Sequence, residues 1–369
     1  MSHSLRDKLR SFDPDLPLER ARTIPSSWYF DPEIHAAENS AVFGRSWLAA
    51  GRADQVARPG HFFTTELAGE PILGVRDGEG ELRAFSNVCR HRAAQVVNQQ
   101  AGEATRFRCR YHGWTYDLTG ALRGTPEFDG VADFCREEQG LPPLAVAAWG
   151  PSIWVHLGPG APPLLDYLAP LPERIASLGL EALRFVERRE YRLACNWKVF
   201  VDNYLDGGYH VNTVHPSLAG VLDYSHYRTK IAGNTSVQTS PLLPAHEPIG
   251  QVRSGDTAYY WWVFPNFMLN LYQGVMDTNL VLPTGPTTCR VIFDFYFTEG
   301  QDAQFIQESI AVGERIQQED IGICEEVQRG LASRFYETGR FSVRREEAGY
   351  HFHRLLARRL QAAIAVGNT

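Results

Sequence analysis

The stretch "CRHRAAQVVNQQAGEATRFRCRYHGW", from Cys89 to Trp114, decides how the whole chain is read. It sets two cysteines and two histidines in two short pairs, Cys89-x-His91 and Cys109-x2-His112, with seventeen residues between His91 and Cys109. Thiols and imidazoles grouped this tightly in a chain with few cysteines point to a bound metal rather than to a disulfide framework. Each pair holds one ligand of each kind.

Two metal centres use such ligands. A structural zinc takes four thiolates or imidazoles and draws them from C-x2-4-C and H-x3-5-H pairs, with like ligands together. A Rieske [2Fe–2S] cluster takes two cysteines on one iron and two histidines on the other. Two hairpin tips facing one another, each carrying one Cys and one His, would give one iron Cys89 and Cys109 and the other His91 and His112. The mixed pairs therefore favour the cluster over zinc. Arg90, Arg92, Arg108 and Arg110 flank the ligands; they read either as solvated turn residues or as charges that pair with carboxylates or tune the cluster.

Around this stretch, from 47 to 157, short apolar runs alternate with Gly and Asp turns, and "RDGEGE" (76–81) is a hairpin signal. This is a small all-β unit. Upstream, residues 1–46 are helical and loop-like, with "DPEIHAAENSAVFGRSW" spaced as a helix behind an Asp cap. Downstream, the Pro-rich "GPGAPPLLDYLAPLPE" (158–173) reads as a linker. The remainder to 369 holds strands first and helices last, including a long amphipathic helix in "DAQFIQESIAVGERIQQEDIGICEEVQRGLAS". The fold class is α+β, in two units.

The chain has 369 residues, enough for about two domains. Hydrophobic residues make up 44% and charged residues 21%, so a sizeable core can form. The net charge is −7 with no Lys/Arg-rich run, which argues against nucleic acid or an anionic membrane as partner. No run approaches the roughly 20 apolar residues of a membrane span, and the polar N-terminus lacks a secretion signal. Cys135, Cys195, Cys289 and Cys324 are scattered singly and read as buried thiols. The expectation is a cytoplasmic protein.

A second metal set lies in "DNYLDGGYHVNTVHP" (202–216), which offers His210 and His215. Five residues along a helix turn the side chains away from one another, but Pro216 biases His215 out of helical dihedrals, so a helix ending between them lets His215 fold back. Asn203, Asp206 and His210 fall on one face of a helix, and Gly207 and Gly208 within it would each cost about 1 kcal/mol relative to Ala. In the C-terminal helix Asp320 sits in a stripe of Ile316, Ile323, Val327 and Leu331. A carboxylate there needs a partner or a metal. Glu319, Glu325 and Glu326 fall off the stripe and read as solvated. Two His and one carboxylate match the facial triad of non-haem Fe(II) oxygenases.

Together these motifs resemble the catalytic α subunit of the Rieske non-haem iron oxygenases, over nearly the whole chain. Within that family the chain is similar to the choline monooxygenases and related bacterial oxygenases, through "CNWKVFVDNYLDGGYHVNTVH", "FPNFMLNLYQGVMDTNLVLP" and "EDIGICEEVQRGLASRFYETGRFS". The resemblance implies a Rieske domain (47–157), a helix-grip catalytic domain (158–369) and an N-terminal segment (1–46) packed on the latter. It assigns the cluster to Cys89, His91, Cys109 and His112, and Fe(II) to His210, His215 and Asp320. It implies O2 as cosubstrate, a head-to-tail homotrimer, and a separate reductase or ferredoxin that brings electrons from NAD(P)H. Many members place a bridging carboxylate three residues before the first iron His; here that position is Gly207, so Asp206, assisted by Asn203, is the candidate.

The substrate implied is a small molecule, a quaternary ammonium compound. Tyr259, Tyr260, Trp261, Trp262, Phe264, Phe267 and Tyr272 offer aromatic faces for cation–π contact, of which strand alternation sends about half inward. The rival readings are an oxygenase for an aromatic or carboxylated substrate, a plain electron carrier that uses only the cluster, and a zinc-stabilised binding module.

Overall fold

The computed structural model describes residues 4–244 and 252–366; residues 1–3, 245–251 and 367–369, which fall within the N-terminal and catalytic segments expected above, lie outside it. The chain divides into two compact units, Phe43–Leu164 and Met1–Val42 with Leu165–Thr369. No helix among the described residues is long and apolar enough to cross a membrane.

The first unit is all-β. Its strands are β1 (Trp47–Arg52), β2 (His61–Leu67), β3 (Glu70–Arg76), β4 (Leu82–Ser86), β5 (Ala101–Glu103), β6 (Phe107–Arg108), β7 (Thr115–Tyr116), β8 (Leu122–Gly124), β9 (Pro143–Trp149) and β10 (Ser152–His156). They form a seven-stranded sheet ordered β1-β10-β9-β4-β3-β2-β5 and a three-stranded sheet β6-β7-β8. The "RDGEGE" turn joins β3 to β4, as its composition predicts. Asp77 makes that turn by accepting from the N–H groups of Glu79 and Glu81 and pairing with Arg83. Burial opposes its charge, but Arg83 and the two N–H groups prevail and hold its pKa below the usual carboxylate range. Asp117 repeats the device between β7 and β8 with Thr119, Ala121 and Arg123.

The second unit is built on an antiparallel sheet ordered β11-β17-β16-β15-β14-β13-β12. Its strands are β11 (Leu183–Leu193), β12 (Arg228–Ala232), β13 (Thr235–Pro241), β14 (Thr257–Val263), β15 (Phe267–Tyr272), β16 (Val275–Gly285) and β17 (Thr288–Thr298). Helices Trp197–Tyr204 and Ala303–Leu331 lie against it. The Pro-rich segment is more than a linker: it holds short helices Leu164–Leu168 and Leu171–Ile175, with Leu168 and Leu171 fully buried. Alternating Leu and Pro in that segment read as punctuation, yet Leu164, Leu168 and Leu171 are apolar anchors while Leu165 is exposed.

Asp31 caps helix Pro32–Ala41 by accepting from Glu33 N–H, as the sequence predicts. Glu38 on that helix is fully buried and pairs with Lys198 at 2.6 Å, while accepting from Trp197 Nε1 at 2.8 Å. The pair ties the N-terminal helix to Trp197–Tyr204, the helix that carries Asn203. Removing one partner leaves a buried charge alone, which costs about 3–5 kcal/mol. Lys198→Met is therefore expected to lose about that much in urea unfolding, and Lys198→Met/Glu38→Gln to recover most of it. Equal losses in single and double mutants would show that packing, not charge pairing, is at stake.

Candidate active site

In the all-β unit two loops carry the Cys/His pairs. Cys89 N–H donates to Ala94 O at 2.8 Å and Ala93 N–H to Cys89 O at 3.0 Å; Cys109 N–H donates to Trp114 O at 2.8 Å and Gly113 N–H to Cys109 O at 2.9 Å. Each loop thus closes on its cysteine with the fourth residue in the left-handed region, Ala93 at φ 57° and Gly113 at φ 76°. The second His sits one position later than the first on otherwise matching loops. Cys89 and Cys109 are buried, and the His91 and His112 rings lie 4.6 Å apart. His91 stacks on Trp114 at 4.9 Å and 8°.

These residues fit a [2Fe–2S] cluster. His91 Nδ1 is buried and has no hydrogen-bond partner, an orphan that a metal bond would explain. Burial, His112 and Arg92 lower the His91 pKa and favour the neutral ring that a metal ligand must be. Tyr116 Oη lies 3.4 Å from Cys89 Sγ and accepts from Arg90 N–H. Arg90, Arg92, Arg108 and Arg110 are all exposed, and none forms an ion pair among the described residues, so the solvated reading fits them.

In the catalytic unit His210, His215 and Asp320 bring one ligand atom each within 4.8 Å of the others. The two Nε2 atoms lie 3.1 Å apart, and His215 Nε2 is 3.1 Å from Asp320 Oδ1. Each Nδ1 faces a carboxylate at 2.6 Å, His210 toward Asp206 and His215 toward Glu319. Protons held at both Nδ1 atoms leave two Nε2 lone pairs and a carboxylate converging on one point, which is repulsive unless a cation sits there. Burial lowers the His215 pKa, but Asp320 and Glu319 outweigh it and raise it. This donor set fits a mononuclear iron.

The local backbone differs from the helical expectation. Helix Trp197–Tyr204 ends before Asp206, and helix Val211–Val214 starts after His210. Gly207 and Gly208 lie between them at φ 70° and 71°, so they form a left-handed turn and not the interior of a helix. A Cβ on Gly207 would stand 2.1 Å from Arg345 O, and one on Gly208 2.9 Å from the Tyr227 ring. Asp206 caps this turn by accepting from Tyr209 and His210 N–H, and from the same position it holds the His210 ring. Asn203 donates to Asp320 Oδ1 at 2.7 Å, so both polar residues singled out in the sequence touch the ligands.

Three readings, two of them on the long helix, need correction. Its buried face runs through Val312, Gly313, Gln317, Cys324, Gln328 and Leu331, while Val327 is 44% exposed. Glu319 is not solvated but holds His215; Glu325 accepts from Ala194 N–H. The singly scattered cysteines are not all buried or all apart: Cys135 is exposed, and Cys195 and Cys289 meet at 3.9 Å.

A cavity opens on the triad. His210, His215 and Asp320 line it together with Phe200, Tyr204, Tyr227, Tyr260, Tyr272 and Phe293, and with Gln238, Arg253, Asn270, Asp277, Asn279 and Gln317. Of the aromatics picked from "AYYWWVFPNFMLNLY" only Tyr260 and Tyr272 reach it; Trp261, Trp262, Phe264 and Phe267 are buried outside it. Tyr204, Tyr227 and Phe293 come from elements whose approach to the cavity no local pattern announces. Asp277 is buried, and Asn270 and Asn279 both donate to its Oδ2, at 2.7 and 3.0 Å. Burial raises its pKa, against Arg253 and the two amides. Aromatic faces around a buried carboxylate suit a cation.

Residues 46–135 match the Rieske [2Fe-2S] domain family and residues 180–362 the ring hydroxylating alpha subunit (catalytic domain) family. The chain is 40% identical over 363 residues to the chloroplastic choline monooxygenase of Arabidopsis thaliana, covering 95% of this chain and 86% of that one. It is 30% identical over 353 residues to the carnitine monooxygenase oxygenase subunit of Escherichia coli K12, covering 92% and 94%. The crystal structure of a quaternary ammonium Rieske monooxygenase in complex with L-carnitine superposes with a TM-score of 0.83 at 27% identity, over 98% of this chain and 100% of that one. With domain families, relatives and fold in agreement, the chain belongs to the Rieske non-haem iron oxygenases, enzymes that carry a [2Fe–2S] cluster and a mononuclear iron.

Proposed function

We propose that this oxygenase hydroxylates a quaternary ammonium compound, with Cys89, His91, Cys109 and His112 holding the cluster and His210, His215 and Asp320 holding Fe(II). The observation that carries the reading is the cavity in which tyrosine faces and the buried carboxylate of Asp277 stand beside the three ligands. A trimethylammonium group gains from each aromatic face about 0.5–2 kcal/mol, and the buried Asp277 carboxyl adds an oxygen acceptor to the same cavity. Relatives named for choline and carnitine support the same class. A plain electron carrier has no use for such a cavity.

The iron pair of centres supplies electrons singly and activates O2 when bound. The chain's own residues do the rest. Asp206 and Glu319 hold the two imidazoles in the tautomer that offers Nε2, Asn203 orients Asp320, and Phe200, Val211 and Leu218 keep the cavity wall apolar near the ligands. Electrons come from a separate reductase or ferredoxin fed by NAD(P)H. In the head-to-tail trimer of this reading, the exposed His112 of one copy faces the His210 side of the next, and Asp206 links the two.

Asp206→Asn tests that link. The amide can still accept from His210 N–H groups, so both metals should stay bound. Without the charge, reoxidation of the cluster in a single turnover should slow by more than about tenfold. Iron loss with normal electron transfer in the remaining loaded protein would leave Asp206 only a turn cap. For the function itself, O2 uptake and product are measured with a surrogate reductase over a panel of quaternary ammonium and aromatic compounds. Product matched to O2 is expected for quaternary ammonium members; product from aromatic members alone would overturn the substrate assignment.

A further inference from the structure

Three thiols that neither metal site uses meet inside the catalytic unit. Cys195, Cys289 and Cys324 are free and buried, each at most 1% exposed. Cys195 is the common member: its Sγ lies 3.9 Å from Cys289 Sγ, and it is hydrogen-bonded to the Cys324 thiol as well. One buried cysteine is an ordinary small apolar filler. Here three come together from the end of β11, from β17 and from the long helix, so that one sulfur stands between two partners able to form a disulfide with it. Hydrogen bonds from Cys289 and Cys324 lower the Cys195 pKa, against burial and Glu325, and place the reactive thiolate at the centre of the group.

The cluster backs on the iron-ligand triad. Cys324 follows Asp320 by four residues, about one turn of the long helix. Cys195 directly precedes Asn196, the N-cap of helix Trp197–Tyr204, whose Asn203 donates to Asp320. The backbone on either side of Cys195 is tied to the same turn: Ala194 N–H donates to Glu325 Oε1 at 2.9 Å and Asn196 N–H to Gln328 Oε1 at 2.8 Å. Cys324 also lines a second cavity, with Val199, Asp206 and Ile323. Asn203 lines both this cavity and the one that opens on the triad. A small neutral oxidant can therefore approach the thiols from a space one side chain away from the ligands, where a bulky thiol reagent has no room.

Such an oxidant belongs to the chemistry of an oxygenase: O2 that takes two electrons and two protons without hydroxylating anything becomes hydrogen peroxide. We propose that Cys195 and Cys324 form a peroxide-driven disulfide switch on the iron site. The Cys195 sulfur attacks one peroxide oxygen; an S–O bond forms, the O–O bond breaks, and the other oxygen leaves as water with the Cys195 proton. The Cys324 sulfur then attacks the sulfenic sulfur; the S–S bond forms, the S–O bond breaks, and the hydroxyl leaves as a second water with the Cys324 proton. Two thiols lose two electrons, and one peroxide becomes two waters. The new bond draws the sulfurs from contact to about 2 Å. It pulls together the start of the helix that carries Asn203 and the turn that follows Asp320, so the Asn203–Asp320 pair shifts and iron is held less firmly. An oxygenase that consumes O2 without product thus switches itself off, and a thiol reductant restores it. The inference rests on the oxygenase class alone, so its failure leaves the quaternary ammonium reading untouched.

The test treats iron-loaded holoprotein, its cluster oxidised, with a few equivalents of hydrogen peroxide, stops the reaction with catalase and removes released metal. Free thiols are alkylated after denaturation and the peptides mapped by mass spectrometry; trypsin leaves the three cysteines on separate peptides. A Cys195–Cys324 link is expected in at least about half of the chains, with iron content down about twofold or more and the cluster spectrum unchanged. Dithiothreitol followed by Fe(II) should restore the iron. In Cys195→Ala the same dose should leave iron content as it was. Three thiols still open to alkylation, at a dose that oxidises the exposed Cys135, would mark them as inert core residues and overturn the inference. A Cys195–Cys289 link in place of the expected one would remove Cys324 from it. A Cys195–Cys324 link with full iron content would overturn the switch, and equal iron loss in Cys195→Ala would put the damage at the ligands themselves. Should Cys195→Ala not fold, Cys324→Val takes its place with the same expectations.

Discussion

Asp320→Ala is expected to abolish product formation while the visible spectrum of the cluster, oxidised and reduced, stays as in the wild type. Asp320 Oδ1 lies 3.1 Å from His215 Nε2 and 3.9 Å from His210 Nε2, and Asn203 fixes it from the other side at 2.7 Å. Deleting the carboxylate leaves two imidazoles, too few for a facial triad. It also removes the one anion that directly balances the cation at that point. The loss should be one of iron and not of fold, because Asp320 is one position on a helix of 29 residues whose packing runs through other side chains. The check is iron content, cluster spectrum and product measured on the same sample. Turnover retained at the wild-type level would mean that another residue completes the site, Glu319 and Asp206 being the carboxylates already in contact with the two imidazoles.

Cys109→Ser should remove the cluster signal altogether, and turnover with it. Cys109 is 2% exposed and shares the core of its unit with Cys89, Val96, Trp114 and Tyr116. The strands on either side of its loop, β6 and β7, have two residues each, too short to hold the loop without help. A site that binds metal only when folded also folds more firmly when metal is bound. Loss of the cluster should therefore appear a second time, as faster limited proteolysis between residues 86 and 128, with the catalytic unit spared. A brown protein with an unchanged spectrum would remove Cys109 from the ligand set.

The candidate metal ligands stand out in the sequence because their chemistry leaves few alternatives: a C-x-H and C-x2-H pair in a β segment, and two histidines before a proline. The hairpins were legible from Asp and Gly in "RDGEGE". What sequence could not convey is how the ligands are held. Asp206 reaches His210 across a left-handed turn, and a helical wheel finds the right residue for the wrong reason. Glu319 falls off the apolar stripe and reads as solvated in the sequence, because its partner His215 is 104 positions away. The cavity shows the same limit: Tyr204, Tyr227 and Phe293 come from a helix end, a loop and a strand, and only the folded sheet brings them together. Cys195 and Cys289 look isolated in sequence and meet through the pairing of β11 with β17.

The most direct test of the central claim, that one chain joins a Rieske cluster to an iron site that oxidises a quaternary ammonium compound, is a single turnover without reductase. Iron-loaded protein is chemically reduced, freed of reductant, and mixed with 18O2 and a trimethylammonium compound that binds. Product carrying one 18O atom is expected to form as the cluster reoxidises, and none from Asp320→Ala. Cluster reoxidation with no labelled product from any trimethylammonium compound would contradict that claim and leave a protein that only carries electrons.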